Sequence, residues 1–419
     1  MHELPIADAI FSALLNHDEA ALDAIAEVRA AECVFVRTVV CTEAPGAVDL
    51  DLGLSFSSSE YVTPFFEGPR AFFMSARTSI DARLNGGTSR VPIDFSLSFD
   101  SNFAEKLRAV VFGEKIQKVE RDRVLEILML KARDSRVQFD VMPFLIENTR
   151  LVREDPSNAR PLNTLIAFRM LDHLDWDALR GDPSHLVFDT SSQVLRDQLR
   201  PDAEAFLVEL QASEEIDRHE ATSARTQALL LRFARLWHGS GKKDKGRILG
   251  ELLHFCIDTL GSIPLIELRL IWSGMNTDQG SPFFGPIMGR SAGMLQKTRG
   301  MAWDMTLLRA MEKTATKNEG GSFFIPSFVS LDRRWRDLLR LNPVKMMVID
   351  DANARVLFSR VDELEFQRAL GECAPARMQS EMTPDKVEAR RTSARNIDLG
   401  TVQQLVAEEE RECVALGLT

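Results

Sequence analysis

Residues 301–335 read MAWDMTLLRAMEKTATKNEGGSFFIPSFVSLDRRW, and the fold class turns on how this stretch divides. Met301, Leu308, Met311 and Ala315 recur at helical spacing, with Thr306, Arg309, Lys313 and Thr316 opposite, so an amphipathic helix is expected from Met301. Asp304 lies three, four and seven residues from Leu307, Leu308 and Met311, which sets an acid on or beside the apolar face. Glu319-Gly320-Gly321 stops the helix. After Pro326, Phe328-Val329-Ser330-Leu331 suits a short strand ending at Asp332, and RRWRDLLRL begins a second helix. A helix with a semi-buried acid, feeding a strand that ends in another acid, gathers carboxylates at one edge of an α/β sheet.

Working outward, residues 91–113 repeat the theme. Ile93, Phe95, Leu97 and Phe99 alternate with Asp94, Ser96, Ser98 and Asp100, a period-two strand with one apolar face. It ends at Asp100-Ser101-Asn102 and turns directly into FAEKLRAVV. Asp100 or Asn102 can cap that helix, Asn102 with Glu105 in a capping box. RVQFD (136–140) reads as a short strand or an extended lead-in, and Pro143 suits the first turn of PFLIENTRLV. Asp140 and Glu147, seven apart, share a face if both are helical. LVFDTSSQVL (186–195) offers a rival strand-to-acid signal at Asp189, on a strand of only three residues.

Asp100, Glu147, Asp304 and Asp332 form the candidate constellation. Carboxylates that converge repel one another, and the arrangement makes chemical sense as a cage for an oxygen-preferring divalent cation, Mg²⁺ or Mn²⁺. Such an ion serves phosphodiester hydrolysis. Two bland roles stand beside this one: Asp332 as the N-cap of RRWRDLLRL, and Asp304 as the partner of a buried arginine. Glu251 and Glu267 compete with Glu147 as the second acid.

The ordered set FSLSFDSNF, FLIEN, AWDMTLL and FVSLDRRW resembles the PIN-domain nuclease family. In that family an acid ends the first strand, a second acid follows on a helix, a third opens a late helix, and a fourth ends the next strand in a Ser/Thr-x-Asp pattern. Asp100, Glu147, Asp304 and Ser330-Leu331-Asp332 take those places here. The resemblance implies a three-layer α/β/α core and Mg²⁺- or Mn²⁺-dependent endoribonuclease activity, commonly in toxin or defence settings. Asp100, Asp304 and Asp332 would be the metal ligands. The span from Glu147 to Asp304 exceeds a compact PIN domain, so a large helical insertion is required. The resulting division is an N-terminal α+β segment (1–90), a first core half (91–150), a mainly helical insertion (151–299), a second core half (300–372) and a charged C-terminal tail (373–419).

The remaining text fits that frame. Residues 5–31 read as amphipathic helices broken at Asn16-His17-Asp18, 33–41 as a strand, and the Tyr61, Phe65, Phe66, Phe72 and Phe73 cluster as core. Residues 271–300 read as a Gly- and Met-rich connection, and VKMMVIDD with ARVLFSR as a hairpin. A net charge of -11 argues against coating nucleic acid through bulk charge, so a polyanion must be held locally. Asn102, Lys297, Arg299, Arg333 and Arg334, and the loop around Lys242-Lys243-Asp244-Lys245, are the candidates for contacting single-stranded RNA. Five cysteines without a CxxC pair suit a reducing cytoplasm, and no run approaches the ~18–20 apolar residues of a membrane span. The alternative is a non-catalytic interaction protein whose helical middle binds a protein partner or a second copy and whose acids are structural. The discriminator is geometric: an enzyme gathers Asp100, Asp304 and Asp332 in a cleft, whereas a scaffold disperses them or pairs them with arginine.

Overall fold

The computed structural model describes residues 4–50, 59–239, 244–277, 281–318, 323–395 and 398–418. The strands are β1 (Val36–Thr42), β2 (Val48–Asp49), β3 (Val62–Pro64), β4 (Arg70–Met74), β5 (Ile93–Phe99), β6 (Val137–Asp140), β7 (Phe323–Val329), β8 (Val344–Asp350) and β9 (Arg355–Arg360). They form two sheets in a mixed α/β fold. One is antiparallel, in the order β2-β4-β1-β8-β9, so the expected β8–β9 hairpin completes a sheet begun by the N-terminal segment. The other has the order β3-β7-β5-β6, with β7, β5 and β6 parallel and β3 antiparallel on the edge.

The alternating sequence of β5 is compatible with its central place because its polar residues near the sheet's carboxyl edge are small. Ser98 donates to Asp140 on β6 at 2.8 Å, while Phe95, Leu97 and Phe99 are buried. β7 is longer than expected, starting at Phe323 and passing through Pro326, with Ser330 and Leu331 beyond its end. Pro326 is tolerated because its carbonyl accepts from Phe65 N at 3.3 Å, toward β3. A strand residue's N–H and C=O point the same way, so the missing N–H also faces the short edge strand and leaves the β5–β7 ladder whole.

The Asp304 helix runs Met294–Ala315, starting seven residues earlier than its periodicity suggests and absorbing Lys297 and Arg299. Its opposite face is only partly in solvent, at Lys313. Thr306 is fully buried, its hydroxyl returned to Ala302 O at 2.8 Å, and Arg309 binds buried Glu267. The Glu319-Gly320-Gly321 stop lies outside the described residues, as do Lys242 and Lys243.

Among the described residues, 160–288 fold as helices without a strand; only an isolated bridge joins Leu174 to Phe188. The connection expected at 271–300 is itself helical, with Leu265–Asn276, Gly285–Met288 and the start of the Asp304 helix inside it. The longest helix, Glu214–Gly239, packs on the Asp304 helix and on the last helix, Leu399–Ala415. The charged tail is therefore not loose where that last helix docks. Cys413 and Leu418 are buried, and Glu409 and Glu412 pair with Arg235 at 2.7 and 3.0 Å. Among the described residues, no helix is long and apolar enough to cross a membrane.

Candidate functional site

Each acid of the constellation is delivered by a different element. Asp100 directly follows β5 and caps the helix Ser101–Val111, accepting from Phe103 N at 2.7 Å. Asp332 stands three residues past parallel β7 and caps Arg333–Leu341, accepting from Arg334 N at 2.8 Å and Trp335 N at 3.2 Å. Since β5 and β7 run parallel in register, both acids reach the same carboxyl edge of the sheet. Ser330 links them: its hydroxyl donates to Asp100 Oδ2 at 2.5 Å and accepts from Asp332 N at 2.9 Å. Arg336, itself buried, holds the Ser330 carbonyl at 2.7 Å and so fixes the strand end.

Glu147 enters from the helix Met142–Glu154. Ser101 Oγ donates to its Oε2, and Asn148 Nδ2 in turn donates to Ser101 Oγ at 2.7 Å. Asp304 comes from the long helix, and among the described residues no hydrogen-bond donor or base satisfies it. Every charged neighbour it feels is an acid: Glu147, Asp332 and Asp100. Burial, then these three, hold its carboxyl well above the ordinary range. Burial likewise pushes Asp100 up to about 7, with Glu147 and Asp332 adding to the rise and Ser330 and the Phe103 amide opposing it. Glu147 is raised by burial too, against the pull of Ser101, Arg150 and Arg160.

Asp304 thus has the other three acids as electrostatic neighbours, and Asp100 has Glu147 and Asp332. Neither bland role accounts for the whole set. Asp332 and Asp100 do cap helices, but Asp304 is not the partner of an arginine. The competing second acids are elsewhere: Glu267 is buried against Arg309, 2.6 Å away, and Glu251 is exposed on its own helix. Asp140 does not share a helical face with Glu147. It ends β6, accepts from Ser98 and from Met142 N at 2.9 Å, and has Lys317 as its charged neighbour. Asp189 follows no strand and pairs with His173 at 2.9 Å.

The basic candidates divide. Arg299 is exposed on the Asp304 helix and lines a cavity beside the acids. Lys297 ties down the preceding turn through Ala292 O at 2.8 Å. Arg333 and Arg334 are exposed beside Asp332, Arg333 lying 3.6 Å from Asp337, and Asn102 is exposed in the first turn after Asp100. Sequence reasoning placed Ser101 and Ser330 in the acid motifs without giving them a role and passed over Asn148, although all three orient the acids. It also missed Arg150, three residues after Glu147.

The donor set is all oxygen and carries excess negative charge with no cation against Asp304, which suits a hard divalent ion in kind and charge. Among the described residues, no three carboxylate, imidazole or thiolate side chains converge tightly enough to hold one ion as they stand. No family model, curated protein or solved structure matches the chain.

Proposed function

We propose that the chain is a metal-dependent endonuclease with a PIN-like core, cleaving single-stranded RNA at Asp100, Glu147, Asp304 and Asp332. The observation that carries this reading is Asp304, set on a buried helix among three other acids with no base to neutralise it. Such a placement is costly for folding, and a bound cation would relieve it. Asp100, Asp304 and Asp332 would hold Mg²⁺ or Mn²⁺. The bound ion would supply polarisation of a phosphoryl oxygen and a more acidic water. Asp100 and Asp332 are oriented at strand ends by Ser330 and by their helix amides, and the acids would have to draw together from these positions to share one ion. Glu147, oriented by Ser101 and Asn148, is the acid with a raised proton affinity closest to a basic flank, and suits moving a proton to or from the reacting water. The parallel trio β6-β5-β7, with helices following β5 and β6, supports a PIN-like core.

A second reading has its own observation. Asp100 and Asp332 both serve as helix caps, and the acids are not gathered to ligating distance, as suits a non-catalytic helical interaction protein. One experiment separates the two: incubating labelled single-stranded RNA with wild type and with Asp304→Asn in Mg²⁺ and Mn²⁺. The nuclease reading expects cleavage by wild type alone. Intact RNA in both metals transfers the case to the interaction reading.

A further inference from the structure

Beside the acids lies a cavity of about 200 Å³ at the meeting of four helices: Met142–Glu154, Glu214–Gly239, Met294–Ala315 and Leu399–Ala415. Arg150 and Arg299 line it. Arg150 is nine-tenths buried, and its guanidinium stacks on the indole of Trp303 at 4.9 Å. Among the described residues its Nε has no partner, and its one ion pair, to the largely exposed Glu154, spans 3.8 Å. Arg299 lines the same cavity, and burial and then Arg299 draw the Arg150 pKa down. Two arginines that repel one another in a half-enclosed space are stabilised together by an anion that joins them.

The cavity is coupled to the acids by covalent spacing. Arg150 follows Glu147 by three residues on one helix, and Trp303 adjoins Asp304 on another. Side chains three apart on a helix lie roughly 5–6 Å apart at Cβ, near the spacing of successive phosphates on a nucleic-acid strand. We propose that this cavity is a phosphate subsite, in which Arg150 and Arg299 clamp a phosphate of the strand neighbouring the one presented to the acid cluster.

The substrate class in this inference rests on the nuclease reading; the anion site does not. Two acids share the wall. Glu410 accepts from Gln227 at 3.0 Å, and Glu220 lies near Arg150. They limit what a free phosphate gains, so the subsite favours a strand held at two points over inorganic phosphate.

The test is fluorescence anisotropy of a 5′-labelled single-stranded hexaribonucleotide with the full chain in EDTA, where cleavage is absent. Arg150→Gln and Arg299→Gln should each weaken binding about tenfold, the loss of one charge-assisted contact. Each should also reduce the slope of log affinity against log salt by roughly 0.7. Arg299 is exposed, so its variant tests the clamp even if Arg150→Gln is destabilised. Affinities within twofold of wild type for both variants, or no binding by wild type, overturn the subsite. Arginine-dependent binding with no cleavage in Mg²⁺ or Mn²⁺ upholds the subsite and sinks the nuclease reading. Cleavage with arginine-independent binding does the reverse.

Discussion

Asp100→Asn should make the protein more stable at high pH and somewhat less stable at low pH. The Asp100 carboxyl sits at about 7 in the fold against an ordinary 3.8. A carboxyl whose folded pKa is raised favours folding least when ionised, so its cost is absent below about 4, grows with pH, and is complete above about 7. A rise of roughly three corresponds to about 4 kcal/mol in all, of which on the order of 2–3 kcal/mol falls between pH 5 and pH 8.5. Asparagine removes the charge but accepts less well than a carboxylate from Phe103 N and Ser330 Oγ, a loss of about 1 kcal/mol at any pH. Variant minus wild type should therefore be slightly positive, by up to about 1 kcal/mol, at pH 5 and positive by about 3 kcal/mol at pH 8.5, turning negative only below about pH 4. With an unfolding entropy of about 2.1 cal/mol/K per residue over 419 residues, each kcal/mol moves Tm by roughly 1 °C. Thermal unfolding in EDTA at both pH values reads the effect. A difference that does not change with pH would refute the claim that Asp100 is held against its charge. The same variant should be dead in RNA cleavage, so stability and activity move in opposite directions.

Wild type should bind Mn²⁺ in calorimetric titration without any need for zinc, and Asp304→Asn should bind it much more weakly; equal heats for the two chains would remove the metal centre. Asp332→Asn should retain its helix cap within a few tenths of a kcal/mol, since asparagine caps as well as aspartate, yet abolish cleavage; an active, folded Asp332→Asn would take that acid out of the site. Glu267→Gln leaves Arg309 without its buried counter-ion and should cost about 3 kcal/mol in urea unfolding with Mn²⁺ binding unchanged, while Glu147→Gln should weaken Mn²⁺ binding instead; a reversed pattern would restore Glu267 as the second acid. Arg333→Ala, at an exposed side chain, should weaken RNA binding modestly and flatten its salt dependence; a loss of turnover at saturating RNA would mean that it acts on chemistry.

What the sequence disclosed about this centre was local, and it disclosed most where strand, acid and helix follow without a gap. Asp100 comes straight after a period-two strand and straight before a helix, so its place and its cap follow from neighbours alone. Asp332 was legible for the same reason, although the strand before it was started five residues late because Pro326 normally disqualifies a strand interior. That rule failed on a point of tertiary context: the proline faces the brief edge strand β3, which no local pattern announces. Asp304 was placed on the apolar side of its helix, but the helix was expected to have a wet face. Thr306 is buried and Arg309 half-buried on a side where Glu214–Gly239 packs, and the polarity of Arg309 is matched by Glu267 from 42 positions away. Long-range pairing of this kind leaves no periodic trace. The final helix is the extreme case: its acids read as a solvated tail, yet Glu409 and Glu412 answer Arg235 across 174 and 177 positions.

The scaffold around the acids explains how an unneutralised cluster survives folding at all. A buried carboxylate that keeps a cost of several kcal/mol persists only where its surroundings over-determine its position. Here the same atoms that hold the acids also close the secondary structure. Asp100 and Asp332 satisfy amides that each helix start would otherwise leave orphaned, and Ser330 ties one acid to the backbone of the other. Glu147 is carried by a helix whose next residue, Asn148, anchors to Phe144 O at 2.9 Å and to Ser101. Asp304 alone contributes nothing to its own helix and receives no hydrogen bond from a described residue. On the nuclease reading proposed above, Asp304, held protonated by burial and by its acidic neighbours, is the acid that a divalent cation would allow to ionise.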